Sequence, residues 1–308
     1  MNFTWPKDRP YDVVGIGRNS WDRIARVRAY PAANSKVEAL ELDNQPGGQV
    51  ATTVVTAARL GARARYLGKF GDDAGGRAVR GALVREGIDL SESKVVPGVS
   101  NQSAFIVVDA ERRTRNVFSF TDPRLRIHFD DFSHEAVTSG RILYVGGRHP
   151  LDVLSYARLG RETGCIVAVD ADSVVEGTAE LLSYADIVVC PETFPTAFTD
   201  RNSIPEGIRE IAEIGPSLVC CTRGEHGAYA SAASTFLESP AFEVNVVDTT
   251  GAGDVFQGAL LVGLLEGMDV PAALRFSTAA AALKCGRLGA QRGIPTRAEV
   301  MAFLESRA

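Results

Sequence analysis

The second half of the chain alternates apolar runs with helical segments, and this pattern restricts the fold more than any other sequence feature. Strands that are apolar at every position are typical of parallel strands buried on both faces. We therefore predict an α/β protein with a mostly parallel central sheet covered by helices on both faces. The predicted strands are 142–145, 165–169, 185–189 and 217–221, and the helices are 151–163, one around 181–182, and 208–214.

Polar residues follow three of these predicted strands. They are Asp170-Ala-Asp172, the segment 190–194 and the segment 222–227. Because ligands of open α/β sheets bind outside the carboxyl ends of the strands, we expect all three to lie near a binding site.

Residues 246–256 combine two valines, the polar and small run Asp-Thr-Thr-Gly-Ala-Gly, and a helical pattern that starts at Asp254 and ends near Gly267. We interpret Val246 and Val247 as the end of a buried strand, followed by a tight turn and a buried helix. Free backbone N–H groups at such a helix N-terminus suit a phosphate, and Asp254 could take the proton of an attacking hydroxyl. From these residues alone, a capping or dipole role for Asp254 is an equal alternative.

Two segments of the first half read as strands outside the main sheet. Residues 24–46 alternate weakly and contain prolines, and residues 99–120 contain a hairpin with strands 103–109 and 116–120. We predict that both segments form a small sheet on a single domain that spans residues 1–308. Arg113 and Arg115 on the hairpin face either anionic groups or solvent.

Composition excludes several classes of function. The net charge is −5 and there is no Lys/Arg block, which argues against nucleic acid as a partner. We find no signal peptide and no apolar run of about 18 residues, so no membrane partner is expected. Five cysteines without a CxxC pair, and four scattered histidines, indicate a reduced cytoplasmic protein without a transition-metal site. The sequence also lacks the GxxxxGK[ST] motif of Walker-type ATPases.

Two motifs resemble those of one enzyme family. Asp-Thr-Thr-Gly-Ala-Gly-Asp at 248–254 looks like the C-terminal signature of the ribokinase-type (PfkB) carbohydrate kinases. Paired Gly47-Gly48, a helix ending in Leu-Gly, and Gly-x-x-Gly-Asp-Asp-x-x-Gly at 68–76 resemble the N-terminal signature. The resemblance covers nearly the full chain. It implies a three-layer α/β/α sandwich in which the small sheet is a lid that often mediates homodimers.

The resemblance also implies the catalytic groups and the acceptor site. Asp254 is expected to be the base, with the amides of Gly251, Ala252 and Gly253 as the anion hole. Ribokinase members place Asn where this chain has Thr52, and Gly where it has Val50. The residues expected to bind the acceptor are Asp22, Gly47, Gly48, Thr52 and Arg113. By spacing alone, Asp22 is better explained as a solvated loop acid.

The nucleotide and metal sites follow from the same resemblance. Thr222, Gly224 and Gly227 match the Thr-x-Gly-x-x-Gly nucleotide loop, and Thr250 is expected beside the ATP. Many relatives organise Mg²⁺ with Asn-x-x-Glu. Those positions are Pro191 and Phe194 here, which leaves Glu192 as a substitute. Asp248 either binds a monovalent cation such as K⁺ or caps its own turn.

The sequence therefore predicts a carbohydrate kinase that transfers the γ-phosphoryl group of ATP, with Mg²⁺, to a hydroxyl of a small sugar. Two alternatives within the same fold stay open. One is a nucleoside kinase, and the other is a sugar-phosphate kinase, if arginines of the lid line the pocket. A third alternative is a non-catalytic protein that senses sugars or nucleotides.

Overall fold

A sheet of eight strands forms the middle layer of the protein, whose computed structural model describes residues 3–233 and 235–307. The strands are β1 Tyr11–Ile16, β2 Ser20–Val27, β3 Glu41–Gly47, β4 Ala64–Leu67, β5 Lys69–Gly71, β6 Lys94–Val96, β7 Ser103–Asp109, β8 Thr114–Phe120, β9 Gly140–Gly146, β10 Ile166–Asp170, β11 Ile187–Pro191, β12 Leu218–Thr222, β13 Ala228–Ala232 and β14 Thr235–Ser239. The helices are α1 Gln49–Arg59, α2 Ala74–Arg85, α3 His134–Val137, α4 Pro150–Glu162, α5 Thr178–Ser183, α6 Thr193–Phe198, α7 Ile204–Ile214, α8 Ala252–Leu265, α9 Val270–Cys285 and α10 Arg297–Glu305.

The strand order of the main sheet explains why its central strands are apolar throughout. The order is β14-β13-β12-β11-β10-β9-β1-β4, parallel from β12 to β4, with β13 and β14 antiparallel at one edge. Val13 and Ile142 are buried in the same core as α1, α8 and α9, whereas Val14 and Leu143 are buried in the same core as α4, α5 and α7. Both faces of the sheet are thus covered, and the predicted three-layer α/β/α architecture is confirmed.

One predicted strand is absent. Val246 and Val247 lie in an extended segment outside the named strands and are only partly buried. The backbone N–H of Val247 donates to the carbonyl oxygen of Cys285, at 2.8 Å, at the end of α9. The prediction of a strand was wrong because the hydrogen-bond partner of this segment is a helix end and not a sheet edge.

A separate four-stranded sheet, in the order β3-β2-β7-β8, forms the lid. β2 and β7 pair in parallel, while β3 and β8 pair antiparallel with their neighbours. Ile24, Ile106 and Val108 are buried on one face together with Leu288, which follows α9. The two segments assigned to the lid supply strands of this sheet, but β2 begins at Ser20. Asp22 therefore lies on a strand and is buried, contrary to the interpretation of a solvated loop acid.

Helix α8 lies unusually close to α1, which fixes the position of its first turn. A Cβ atom on Gly258 would come within 2.7 Å of the Thr53 carbonyl oxygen, so only glycine allows this approach. The Thr53 hydroxyl oxygen also lies 3.2 Å from the carbonyl oxygen of Asp254 and donates to it. The N-terminus of α8, where the functional motif lies, is thus held against a second buried helix.

The cysteines and the lengths of the helices are relevant to the expected location of the protein. All five cysteines are free, and four of them are buried. No helix among the described residues has both the length and the apolar composition needed to cross a bilayer. A cytoplasmic location stays a prediction.

Candidate active site

A cleft of about 550 Å³ lies between the lid sheet and the carboxyl ends of the central strands. Ala104, Ile106 and Val117 line it from the lid. The opposite wall contains residues that follow β1, β9 and β10, and residues 250–254 lie at its base. The cleft is where the strand pattern of the sequence predicts a ligand.

Residues 249–253, which we call the anion turn, present unused backbone amides to this cleft. Gly251 has a φ of 78°, a conformation that favours glycine, and a Cβ there would lie 2.8 Å from the Cβ of Ala290. Within the described part of the chain, the amides of Gly251, Gly253 and Asp254 have no acceptor, whereas the Ala252 amide donates to Thr249 at 3.2 Å. The amides available to an anion are therefore those of Gly251, Gly253 and Asp254, and that of Ala252 is already bonded.

Asp254 lines the cleft at the first turn of α8. Burial raises the pKa of Asp254 well above its usual range, and the nearby charge of Asp170 raises it further. The positive charges of Arg115 and Lys284 act in the opposite direction. A carboxyl whose pKa moves toward neutrality is suited to accept a proton during a reaction.

A buried network supports Asp254 from below. The single hydroxyl proton of Tyr144 is shared between Gln257 Oε1, at 2.8 Å, and Asp170 Oδ2, at 3.3 Å. The Thr53 hydroxyl oxygen lies 3.1 Å from the Tyr144 hydroxyl, and its single proton is shared between this oxygen and the Asp254 carbonyl oxygen. Burial raises the pKa of Asp170 to about 7, and the charge of Asp172 adds to this effect. Two carboxyls with raised pKa values, Asp170 and Asp254, thus face the same cleft.

Asp22 lies where the lid meets the cleft. Ser20 Oγ donates to Asp22 Oδ1 at 2.5 Å. A Cβ on Gly47 would collide with Asp22 Oδ2, so glycine at this position leaves room for the carboxylate. Burial raises the pKa of Asp22 to about 6, against the opposing effect of the Ser20 hydrogen bond. Asp22 and Gly48 line the cleft, and Gly47 lies directly behind Asp22.

The predicted nucleotide residues are only partly in the cleft. Thr222 and Thr250 line it, together with Ala290 from the loop after α9. Gly224 and Gly227 do not line it, although they shape the turn after β12 with φ values of 54° and 81°. Their contribution is to the path of the chain rather than to the cleft wall.

Three residues predicted for the site lie elsewhere. Thr52 is fully buried on α1, with Gln291 3.5 Å from its hydroxyl. Arg113 is in the turn between β7 and β8, with a φ of 56°, outside the cleft. Glu192 is exposed at the start of α6 and does not line the cleft either. Arg113 lies in a turn, where the alternation of the strand is lost, and Glu192 caps a helix and is exposed to solvent. Neither side chain therefore reaches the cleft.

Asp248 is used within the protein. Its Oδ1 accepts hydrogen bonds from the Thr250 amide, at 2.9 Å, and from the Thr250 hydroxyl, at 2.7 Å. Its Oδ2 accepts from the Gly289 amide at 2.8 Å. These contacts correspond to the turn-capping alternative, in which the carboxylate stabilises the anion turn.

Two cleft residues, Arg18 and Arg148, were not assigned from the sequence, and Arg115 was left open between anionic groups and solvent. Arg115 on β8 reaches the anion turn and donates to the Thr249 hydroxyl at 2.8 Å. Arg18 and Arg148 follow β1 and β9 and line the cleft beside Asp172. The signal that marked Asp170 and Asp172, a polar residue within a few positions of the end of an apolar strand, would also have found Arg18 and Arg148.

Comparisons with known proteins find relatives along nearly the whole chain. A family model described as pfkB family carbohydrate kinase matches residues 12–297. The ribokinase of Bacillus subtilis is 30% identical over 297 residues, which cover 95% of this chain and 99% of that protein. The ATP-dependent ribose-1-phosphate kinase of Halopiger xanaduensis is 26% identical, with 96% and 98% covered. The solved structure of ribokinase from Thermotoga maritima superposes with a TM-score of 0.81 at 27% identity, covering 96% of this chain and 99% of that one.

The raised pKa of Asp22 predicts a pH-dependent effect of its replacement on stability. The folded protein favours the protonated carboxyl up to about pH 6, whereas the unfolded chain loses this proton near the usual value of 3.8. The stability that Asp22 contributes is therefore present below about pH 4 and is lost as the pH rises through 6. Relative to the wild type, Asp22→Asn should gain about 3 kcal/mol at most in the free energy of unfolding between pH 4 and pH 7.

Urea unfolding of both proteins across this range measures the difference. The value near pH 3.5 serves as the internal control, because it contains the structural effect of the exchange without the ionisation. A difference that stays constant from pH 4 to pH 7 would contradict the assignment.

Proposed function

The chain belongs to the pfkB family of carbohydrate kinases, and we propose that it transfers the γ-phosphoryl group of ATP to a hydroxyl of a small sugar through Asp254 and the anion turn. The observation that carries this proposal is the carboxyl of Asp254 beside the unused amides of Gly251 and Gly253 at the base of the cleft. A protein that only senses its ligand would not need a desolvated carboxyl at the end of an anion site.

The acceptor hydroxyl is expected to lie between Asp22 and Asp254. Asp254 takes the hydroxyl proton while the oxygen forms its bond to the γ-phosphorus and the bond from that phosphorus to the bridging oxygen of ADP breaks. The amides of the anion turn stabilise the charge on the phosphoryl oxygens during this step. Asp22 accepts hydrogen bonds from other hydroxyls of the acceptor and so orients it.

Arg115 would connect the lid to this chemistry. It belongs to the lid strand β8, yet it donates to Thr249 in the anion turn. A guanidinium at this position can stabilise negative charge on the transferring group. Because Arg115 lies on the lid, the site is complete only when the lid is in place. A lid in this position also keeps water away from the reaction.

ATP would bind as its Mg²⁺ complex. Asp170 and Asp172 fit this role, because Mg²⁺ is usually held by one or two carboxylates, phosphate oxygens and water. Over the described ranges no cluster of three or more His, Cys, Asp or Glu side chains could enclose a metal by itself. When bound, Mg²⁺ would neutralise part of the phosphate charge. Thr222 and Ala290 lie on the side expected to receive the nucleoside.

Replacing the base tests the proposal directly. Asp254→Asn should lower kcat by roughly 10²–10⁴, the range for general base catalysis, and leave the affinity for ATP near normal. Steady-state ADP release and calorimetric titration with ATP measure the two quantities. Asp200→Asn, an exposed surface exchange, is the matched control and should keep wild-type turnover. An Asp254→Asn protein with more than a third of wild-type turnover would remove Asp254 from the mechanism.

We also propose that the lid forms a homodimer with a second copy of the chain. The face of the lid opposite the cleft carries Leu42, Phe105 and Phe118, which are 73%, 47% and 55% exposed. Phe105 and Phe118 are paired across β7 and β8, so they form one continuous apolar surface. A contiguous apolar face on a small sheet is typical of a protein interface.

The dimer predicts a change of oligomeric state. Phe118→Glu should convert a dimer into a monomer at micromolar concentration, because it places a charge in an apolar interface. Sedimentation velocity measures the state. Val84→Glu, at a residue of α2 that is 60% exposed outside the lid, is the control and should leave the dimer intact. A wild-type protein that sediments as a monomer at this concentration would contradict the proposal.

Finally, we propose that Lys284 and not K⁺ supplies the positive charge behind the anion turn. Lys284 is fully buried, and its ammonium donates to the backbone carbonyl oxygen of Asp248 at 2.7 Å. Burial lowers the pKa of Lys284, but the charges of Asp248 and Asp254 oppose this effect. The backbone carbonyl oxygen of Asp248 is thus already bonded to a side-chain cation.

The prediction is that turnover in potassium, sodium and choline salts agrees within about twofold. In Lys284→Ala the space and the carbonyl oxygen become available, so turnover should fall and then recover in part with K⁺ or NH₄⁺ and less with choline. Thermal unfolding of the variant with each salt provides a second readout besides activity. Stimulation of the wild-type enzyme by K⁺ well beyond twofold would overturn this assignment.

A further inference from the structure

The guanidinium of Arg18 is the most conspicuous charged group of the cleft that the proposed chemistry leaves unused. Arg18 lies two residues after the end of β1, and its side chain lines both the cleft and a small neighbouring recess. Within the described residues, 3–233 and 235–307, this guanidinium makes no hydrogen bond and no ion pair. A partly buried guanidinium without a partner is unfavourable, because its lost hydration is not replaced.

Two more guanidinium groups surround the same recess. Arg148 and Arg126 both line it, and their charges, together with burial, lower the pKa of Arg18. Arg126 is neutralised by Asp152 at 2.6 Å. Arg148 has a longer contact of 3.4 Å to Asp172. Asp152 and Asp172 oppose this effect on the pKa of Arg18, but they pair with Arg126 and Arg148. Three guanidinium groups thus face two carboxylates, so the recess is positive although the protein as a whole carries a charge of −5.

The backbone around Arg18 is fixed in place. The carbonyl oxygen of Arg18 accepts from the Ala51 amide at 3.2 Å. The next residue, Asn19, is buried and donates to the Tyr66 hydroxyl, at 3.1 Å, and to the Lys69 carbonyl oxygen, at 2.9 Å. Such a rigid base holds the side chain in a defined region, as a binding site requires and a solvated surface arginine does not.

The order of the strands shows which ligand the arginines would meet. Arg18 and Arg148 follow β1 and β9, which are neighbours, whereas Thr222 ends β12, four strands away from β1. At about 4.8 Å per strand, this separation is about 19 Å, so Arg18 lies far from the nucleoside end of a nucleotide that contacts Thr222. Ser20 and Asp22, in contrast, follow Arg18 in the chain and line the same part of the cleft. The arginines thus belong to the acceptor end.

From this arrangement we infer that the acceptor carries an anionic group, a phosphate or a carboxylate, which binds to Arg18 and Arg148. The inference rests on the proposed kinase function and names its substrate class: a sugar phosphate or a sugar acid rather than a neutral sugar. Guanidinium groups recognise both anions through paired hydrogen bonds. The anionic group is not altered in the reaction. It anchors the far end of the acceptor while another hydroxyl reacts at Asp254.

Matched sets of acceptors provide the test. Ribose, ribose 5-phosphate and ribonate share five carbons, as glucose, glucose 6-phosphate and gluconate share six. With Mg-ATP, ADP release gives kcat/KM for each. In at least one set, an anionic member should exceed the neutral member by at least tenfold, because hydrogen bonds between charged groups are about twice as strong as neutral ones. The phosphate and carboxylate members distinguish the two sources of the charge.

Substitutions connect the preference to the arginines. In Arg18→Gln and Arg148→Gln, the ratio of kcat/KM for the anionic acceptor over the neutral one should fall at least tenfold, with an unchanged KM for ATP. Arg18→Lys should lose less, since it keeps the charge. Arg124→Gln, at an exposed residue paired with Asp122, is the control and should keep the wild-type ratio.

The outcomes separate this inference from the proposed function. A neutral sugar used as well as its anionic counterparts, with a ratio that Arg18→Gln does not change, would overturn the inference and leave the kinase function intact. Absence of ADP release with every acceptor would overturn the function. Calorimetric binding of the same acceptors to the wild type and to Arg18→Gln would then still decide whether the arginines bind the anion.

Discussion

The buried carboxylate of Asp248 is the interaction on which the geometry of the cleft depends. Its two oxygens hold Thr250 in the anion turn and Gly289 in the loop after α9. That loop also supplies Leu288 to the buried face of the lid and Ala290 to the cleft wall. Because a buried carboxylate without hydrogen bonds is costly, the protein gains stability only when turn and loop are both in place. The positions of the anion site, the nucleotide side and the lid are thus coupled through one side chain.

The charged groups of the cleft lower the stability of the folded protein. Asp22, Asp170 and Asp254 have pKa values raised by burial, while Arg18 has no partner within the described chain. Arg18 makes no ion pair with these carboxyls within the described residues, because the four groups lie on different elements of the fold. A ligand with hydroxyl groups at one end and negative charge at the other would satisfy both kinds of group. Such unsatisfied groups are expected at binding sites, where stability is traded for function.

The sequence predicted those features that depend on local patterns. Apolar strands, helical spacing and the glycine-rich turn led to the fold class, the central sheet and the position of Asp254, since each is encoded by neighbouring residues. Long-range partners could not be predicted in this way. The apolar character of Val246 and Val247 does not reveal that the end of α9, and not a strand, accepts the backbone hydrogen bond of Val247. Likewise, the spacing around Asp22 does not reveal that it pairs with the lid strand β7, about 80 residues later, and is buried there. The sequence does not distinguish Arg113 from Arg115. In the structure, Arg113 lies in the turn outside the cleft, whereas Arg115 lies on β8 and lines the cleft.

The position of β1 has a consequence for how the chain folds. β1 is the first strand in the sequence but lies inside the main sheet, between β4 and β9. Its pairing with β9 joins Val13 to Ile142, so this edge of β1 has no partner until almost half of the chain has been synthesised. Until then the growing polypeptide exposes an apolar strand edge, the kind of surface that leads to aggregation. Formation of the central sheet therefore waits for distant segments, and contacts of this range are associated with slow folding. During synthesis, protection of the N-terminal segment by chaperones would matter more for the yield of active protein than the stability of the finished fold.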